Sequence, residues 1–485
     1  MRKPMLLIAA AAVALTPVAA QAPRYLNPRD VAEAQQQHAA LIQEFGGAET
    51  GARAAYVESI GRRVGAYSGV ASPGQTLHFT TLNSAVSNAM SVPGGYVYIT
   101  RQLLTLMDDE SQLAFALGHE VGHIAANHAH IRQQYANRTD ILGVLGAIFG
   151  SMIGGPIGSA AAQMAQQRSQ LATLSFSREQ EYQADELGLR YLTAAGYDPE
   201  GGPGILAALA RSSALELRVQ GRTNRQTPEW ASTHPLSENR MQRALAEARA
   251  TGRLGKGLRN RDLFLSELEG LFVDDDPAQG IIEGPTFTHP DLKIQFSVPQ
   301  GYRMQNGTDA VTISGSAGKA QFRQGPPNLD QAILFAFRQL TEGQVQLAIP
   351  QPQRTTVNGM PAAYTTARTQ TSSGVVDASV FAYQWAPDRV YYFVMLTPGG
   401  YGTQPFAPMI NSLRRITPQE AAAIRPRIIH VVTVAPGDTV QSLASRMAYR
   451  DFQLDRFLSL NGLAANSRLV PGQKVKLVIY GPRRS

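Results

Sequence analysis

The spacing of hydrophobic and polar positions changes several times along this chain. From Asn27 to about Gly69 apolar residues recur at helical spacing in an alanine-rich background. The stretch "LHFTTLNSAVSNAMSVPGGYVYIT", Leu77 to Thr100, alternates like strands and breaks at Pro93-Gly94-Gly95, which predicts a turn. A helix is expected to start near Asp108, a residue suited to capping it, and to run past His128. A second helix opens at "SREQEYQADELGLRYL", where Ser177 and Gln180 have capping-box spacing. Polar, helical sequence continues to about Leu268, and the acidic, Pro- and Gly-containing residues 271–284 read as a linker.

The period then shortens to that of strands. "LKIQFSV", "GVVDASVFAYQW" and "RVYYFVML" are the clearest, with helices expected near Leu329–Leu340 and Pro405–Leu413. The tail, 429–480, reads strand, turn, helix, helix, turn, strand, with Pro436-Gly437 and Pro471-Gly472 marking the two turns. The chain is therefore expected to be a multidomain α+β protein. It would have a mainly helical unit with a small sheet at 23–270, an α+β domain at 285–418 and a βααβ module at 429–480. A length of 485 residues agrees with several cores rather than one.

Composition adds the compartment. Arg2 and Lys3, the apolar run "MLLIAAAAVAL" and the small residues "AQA" ending at Ala22 form a secretory signal pattern, predicting removal of residues 1–22 and export to the bacterial periplasm or cell envelope. The run is short for a membrane span. The absence of cysteine excludes disulfides, thiolate metal sites and thiol catalysis. A formal charge of +7, two units of which leave with Arg2 and Lys3, is a mild surplus. No basic run with interleaved aromatics points to nucleic acid.

The chemistry is concentrated in "LGHEVGHIAANH", Leu117 to His128. On a helix, Leu113, Leu117, Val121 and Ile124 make an apolar stripe, while Gly118, Gly122, Ala125 and Ala126 make a small-residue face suited to close packing. His119 and His123 stand one turn apart on a neighbouring face, with Glu120 beside them. This is the H-E-x-x-H pattern, in which two imidazoles at i and i+4 reach one zinc ion. A third ligand is needed. "EYQAD" offers Glu181 for it, and one turn on Asp185 is placed to accept the free ring N–H of a ligand histidine. His128 continues the apolar stripe and His130 lies about 10 Å from His123 by helical rise, so both read as structural.

Together "NAMSVPGGYVYIT", "GHEVGHIAANH", "SREQEYQAD" and "THPLSENR" resemble, in order, the motifs of the HtpX/Oma-like zinc metallopeptidases, a gluzincin group. The resemblance spans roughly residues 25–265. It implies one zinc ion per chain held by His119, His123 and Glu181, with Glu120 as catalytic base and Asp185 behind a ligand. It places His234 near the metal, either stabilising the oxyanion or filling the open position as a removable fourth ligand, and it gives Arg240 an ion-pairing role. The strand Tyr96, Val97, Tyr98, Ile99 is implied to border the cleft as an edge that pairs with substrate backbone. Arg101 stands where the resemblance implies a glycine. The tail is similar to the LysM module, which binds N-acetylglucosamine polymers such as peptidoglycan.

Between these motifs, Gly146, Gly150, Gly154 and Gly158 recur every four residues in an uncharged stretch, 141–167, read as a flap over the cleft, a membrane-contacting segment or a span. The leading expectation is an exported zinc endopeptidase acting on unfolded or misassembled envelope proteins and held at peptidoglycan by its tail. Two alternatives are an envelope chaperone or assembly factor with a gated site, and a hydrolase of peptidoglycan peptides.

Overall fold

The computed structural model describes residues 25–72, 74–135, 176–219, 234, 238–341, 347–371 and 374–482. The expected signal peptide, 1–22, and the uncharged stretch 141–167 lie outside the described residues. Among the described residues no helix is long and apolar enough to cross a membrane.

The first unit holds helices α1 (Pro28–Glu44), α2 (Ala52–Gly65), α3 (Arg101–Leu106), α4 (Glu110–Ala125), α5 (His128–Tyr135), α6 (Arg178–Ala194), α7 (Gly201–Val219), α8 (Glu238–Ala250) and α9 (Arg261–Leu268). Strands β1 (His78–Leu82), β2 (Ala89–Val92) and β3 (Tyr96–Thr100) form one small sheet. Local chemistry sets the helix starts. Asp109, one residue later than expected, caps α4 by accepting from the N–H groups of Ser111 and Gln112. Ser177 and Gln180 make the expected capping box on α6.

Helix α4 is the centre of this unit, buried from Glu110 through His123. Its small-residue face meets α6 backbone to backbone. A Cβ at Gly188 would lie 2.8 Å from the His119 amide nitrogen, and one at Gly122 would lie 3.0 Å from the Ala184 carbonyl oxygen. Glycine at both positions therefore sets the separation of the helices that carry the site.

Helix α4 ends sooner than the hydrophobic pattern implies. Asn127 adopts a left-handed φ of 59°, and α5 begins at His128. Asparagine tolerates that conformation better than most side chains, and the pattern of apolar positions carries no sign of it.

The second unit contains a seven-stranded antiparallel sheet in the order β11 (Gln353–Val357), β12 (Met360–Thr371), β13 (Gly374–Ala386), β14 (Arg389–Pro398), β10 (Gly318–Gly325), β9 (Val311–Gly315), β8 (Arg303–Asn306), and a four-stranded sheet in the order β15 (Arg414–Arg415), β7 (Ile294–Ser297), β6 (Thr286–His289), β5 (Ile281–Glu283). The expected strands appear as β7 (Ile294–Ser297), β13 (Gly374–Ala386) and β14 (Arg389–Pro398), and the expected helices as α10 (Leu329–Thr341) and α11 (Ala407–Ser412). Helix α10 covers one face of the large sheet with Ile333 and Phe337, while Phe322, Phe381 and Phe393 on the other face pack with Phe296 and Met409.

The tail is βααβ, as expected: β16 (Arg427–Thr433), α13 (Val440–Ala444), α14 (Gln453–Asn461) and β17 (Lys474–Tyr480), preceded by the short α12 (Pro418–Ala423). It does not stand apart. Phe457, Val475 and Leu477 share one continuous core with Leu104, Leu209, Phe264 and Leu268 of the first unit.

Residues 271–284, read from the sequence as a linker, join the tail to the first unit. Strand β4 (Phe272–Val273) pairs antiparallel with β16 and extends its sheet. The acidic run is bound rather than solvated. Asp274 accepts from the Tyr449 hydroxyl at 3.0 Å, Asp275 from the Ile282 N–H at 2.8 Å and Asp276 from the Asn83 amide at 2.7 Å. Arg101, fully buried, donates to the carbonyl oxygens of Phe272 at 2.9 Å and Asp274 at 2.6 Å. The arginine that departs from the expected glycine thus fastens the connecting segment to α3.

Candidate metal centre

His119 and His123 on α4, Glu181 on α6 and His234 are all buried, and one ligand-type atom from each lies within 4.8 Å of the others. The Nε2 atoms of His119 and His123 are 3.0 Å apart, and Glu181 carboxylate oxygens lie 3.7 and 3.5 Å from them. His234 Nδ1 sits 3.3 Å from His119 Nε2 and 2.9 Å from Glu181 Oε1. Ligand atoms about 2.0–2.1 Å from a tetrahedral zinc ion are separated by about 3.3 Å, so these spacings match the edges of such a site. The donor set, three imidazoles and a carboxylate, suits zinc, and the residues present fit that ion.

The surrounding contacts prepare the ligands. Asp185 Oδ1 lies 2.9 Å from His119 Nδ1. This favours the ring proton on that side and leaves Nε2 with its lone pair toward the cluster. Arg240 is 3% exposed, not a surface residue; its guanidinium is 2.6 Å from Asp185 Oδ2 and 2.6 Å from Glu181 Oε2. Burial alone raises the carboxyl pKa of Asp185, but Arg240 outweighs it and holds the group at about 2. In Glu181 burial is likewise outweighed, by His234 and Arg240, and the carboxyl falls below its usual range.

Glu120 is 2% exposed and stands outside the four-residue cluster. Its Oε2 accepts from the Ser91 hydroxyl at 2.9 Å, and its Oε1 is 3.6 Å from His234 Nε2. A carboxylate beside the cluster, held by one hydroxyl, is placed to take and return a proton.

Tyr96, Val97, Tyr98 and Ile99 occupy a different position from the one expected. Strand β3 is central, paired in parallel with β1 and antiparallel with β2, so both its sides are occupied. Strands β1 and β2 are the two edges of this sheet among the described residues, and β2 is the one that carries Ser91, the partner of Glu120. Alternation cannot distinguish a buried middle strand from its neighbour; sheet order alone separates them.

Sequence reasoning missed three neighbours of the site. Ser91 lay in a recognised motif without a role. Phe176 stacks on His123 with ring centroids 3.7 Å apart. His128 is 1% exposed and reaches His123, Nδ1 to Nδ1 at 2.9 Å, while its Nε2 is 3.0 Å from Gln183 Oε1. The available signal for His128 was the Asn before it. His130, by contrast, is 2.7 Å from Asp30 of α1 and remote in role from the cluster.

A histidine pair on a buried helix, a glutamate from the helix packed on it and a small sheet alongside form an arrangement suited to a metallopeptidase. Residues 51–248 match Peptidase family M48 and residues 432–478 match the LysM domain, so the chain carries an M48 peptidase domain followed by a LysM domain. It is similar to the beta-barrel assembly-enhancing protease of Escherichia coli, 32% identical over 40% of this chain and 38% of that protein. It is also similar to the mitochondrial metalloendopeptidase OMA1 of Homo sapiens, 31% identical over 33% of this chain and 30% of that protein. The match thus spans well under half the length of either relative.

Proposed function

We propose that the protein is an exported zinc endopeptidase that cleaves envelope proteins and is held at peptidoglycan by its LysM domain. The observation that carries this reading is the convergence of His119, His123 and Glu181 beside Glu120, from two helices whose nearest site residues, His123 and Glu181, are 58 positions apart in the sequence. His119, His123 and Glu181 would hold zinc, with His234 as a fourth group. Bound zinc supplies Lewis acidity, polarising a peptide carbonyl and bringing the pKa of water to about 7. Glu120 accepts a proton from water and delivers it to the departing amine nitrogen, acting as base and then acid. Ser91 keeps that carboxylate aimed. Strand β2, an edge of its sheet among the described residues, is positioned to pair with an extended substrate segment, which favours unfolded or misassembled proteins over folded ones.

Removing the metal tests the reading. Treatment with 1,10-phenanthroline is expected to abolish casein cleavage, and one equivalent of zinc per chain to restore it. Cleavage that persists in a chain shown by elemental analysis to be metal-free would overturn it.

His234 favours a gated form of this activity. Its Nδ1 lies among the ligand atoms rather than at a distance suited only to a substrate oxygen, which supports the removable-ligand role over the oxyanion role. Were the closed form to hold about nine chains in ten, His234→Ala would raise casein turnover roughly tenfold. A fall in turnover at unchanged zinc content would return His234 to the oxyanion role. The same gating supports the related reading of an assembly factor whose protease is mostly silent. The E. coli relative's name, a protease that enhances β-barrel assembly, agrees with an envelope role.

A further inference from the structure

Two side chains behind His123 have so far no function. His128 Nδ1 faces His123 Nδ1 at 2.9 Å, and His128 Nε2 faces Gln183 Oε1 at 3.0 Å. His128 is buried, at 1% exposure, whereas Gln183 on α6 is exposed. A contact between two ring nitrogens needs one hydrogen and one lone pair, so the line from Gln183 to His123 has a direction.

Only one direction is compatible with a metal. The Gln183 carbonyl oxygen accepts, so His128 carries its hydrogen on Nε2 and presents a lone pair on Nδ1. His123 must then supply the hydrogen from its own Nδ1, which leaves its Nε2 bare and facing His119 Nε2 at 3.0 Å. With the direction reversed, the hydrogen would sit on His123 Nε2 and close that atom to an ion.

We propose that His128 and Gln183 are positioning residues that act through His123, fixing its ring proton away from the metal. The idea rests on the reading of the cluster as a zinc site. It gives α6 three tasks: Glu181 supplies a ligand, Asp185 sets His119 directly, and Gln183 sets His123 through His128. The left-handed Asn127 makes this possible. On an uninterrupted helix His128 would point well away from His123, since five residues advance the direction by about 140° beyond a full turn.

The test is zinc affinity of the full chain, measured by competition with a chromophoric chelator. His128→Phe keeps a ring but offers no lone pair, and should weaken zinc binding by about 10- to 100-fold. His128→Gln, whose amide oxygen can accept from His123, should recover most of that loss. At the exposed end, Gln183→Glu keeps an acceptor and should bind zinc as the unaltered chain does. Gln183→Lys offers only donors and should bind about tenfold more weakly, within the range for ligand-supporting residues. Equal affinities for the Glu and Lys variants, or for the Phe and Gln variants, would overturn the proposal while leaving the metal site intact. Failure of the unaltered chain to take up zinc would instead remove the site reading beneath it.

Discussion

Glu120→Gln is expected to bind zinc like the unaltered chain and to lose peptide cleavage by roughly 10³-fold, within the span assigned to general acid–base groups. The substitution preserves shape in a position only 2% exposed, and the amide retains a hydrogen bond with the Ser91 hydroxyl 2.9 Å away. The carboxylate is outside the cluster of His119, His123, Glu181 and His234, so the ligands lose nothing. What disappears is a base able to take a proton and return it. Casein turnover and zinc stoichiometry measured on one preparation decide the matter. Retained turnover would remove Glu120 from the reaction, and lost zinc would make it a ligand instead.

The second large effect concerns the tail. A chain ending before β16 should fail to fold stably, because Phe264, Leu265 and Leu268 would lose the covering of Ile429, Phe457 and Leu477. Lys476, on β17, is the more exact probe. It is fully buried, its ammonium donates to the Thr105 carbonyl oxygen at 3.0 Å and to that of Met107, and Asp108 Oδ1 lies 3.3 Å away. Burial pushes its pKa down, with Asp108 opposing that shift. Breaking such a buried pair from one side costs about 3–5 kcal/mol. Lys476→Met should therefore lower the unfolding free energy by about 3 kcal/mol in urea titrations, with the LysM and peptidase parts melting together. Two separate transitions, or a change under about 0.5 kcal/mol, would show instead that the tail is an independent appendage.

This attachment bears on the proposed function. Lys476 reaches the segment that leads into Asp109, the cap of the helix carrying His119 and His123. A tail joined through a shared core, a shared sheet and a buried cation would fix the direction of the candidate site relative to the peptidoglycan that the LysM domain is proposed to hold. A flexible tether would not.

Much of the site was legible because its signals are local. Two histidines four apart state their shared direction on any helix, the glutamate four residues before Asp185 does the same, and the capping box at Ser177 declares where that helix begins. The small-residue face of Gly118 and Gly122 announced a close helix contact, and α6 fills it. The second unit was legible for a similar reason, since long period-two runs admit few other structures.

The failures fall where two distant parts of the chain decide together. The central place of Tyr96–Ile99 follows from sheet order, which no single strand contains. The acidic residues 274–276 look like a solvated linker until Tyr449, Ile282 and Asn83 arrive from elsewhere to receive them. Arg101 shows nothing of its role until the carbonyls of Phe272 and Asp274 are beside it.

The sequence alone marked His119, His123 and Glu181 as candidate ligands and indicated the kinds of domain, because helical and strand periodicity fix direction over one or two turns. Only the tertiary structure decided that Tyr96–Ile99 lies between two edge strands, that His128 turns back onto His123, and that the LysM domain shares the peptidase core. Each of those depends on hydrogen bonds and packing between residues far apart in the chain, and periodicity holds no record of them.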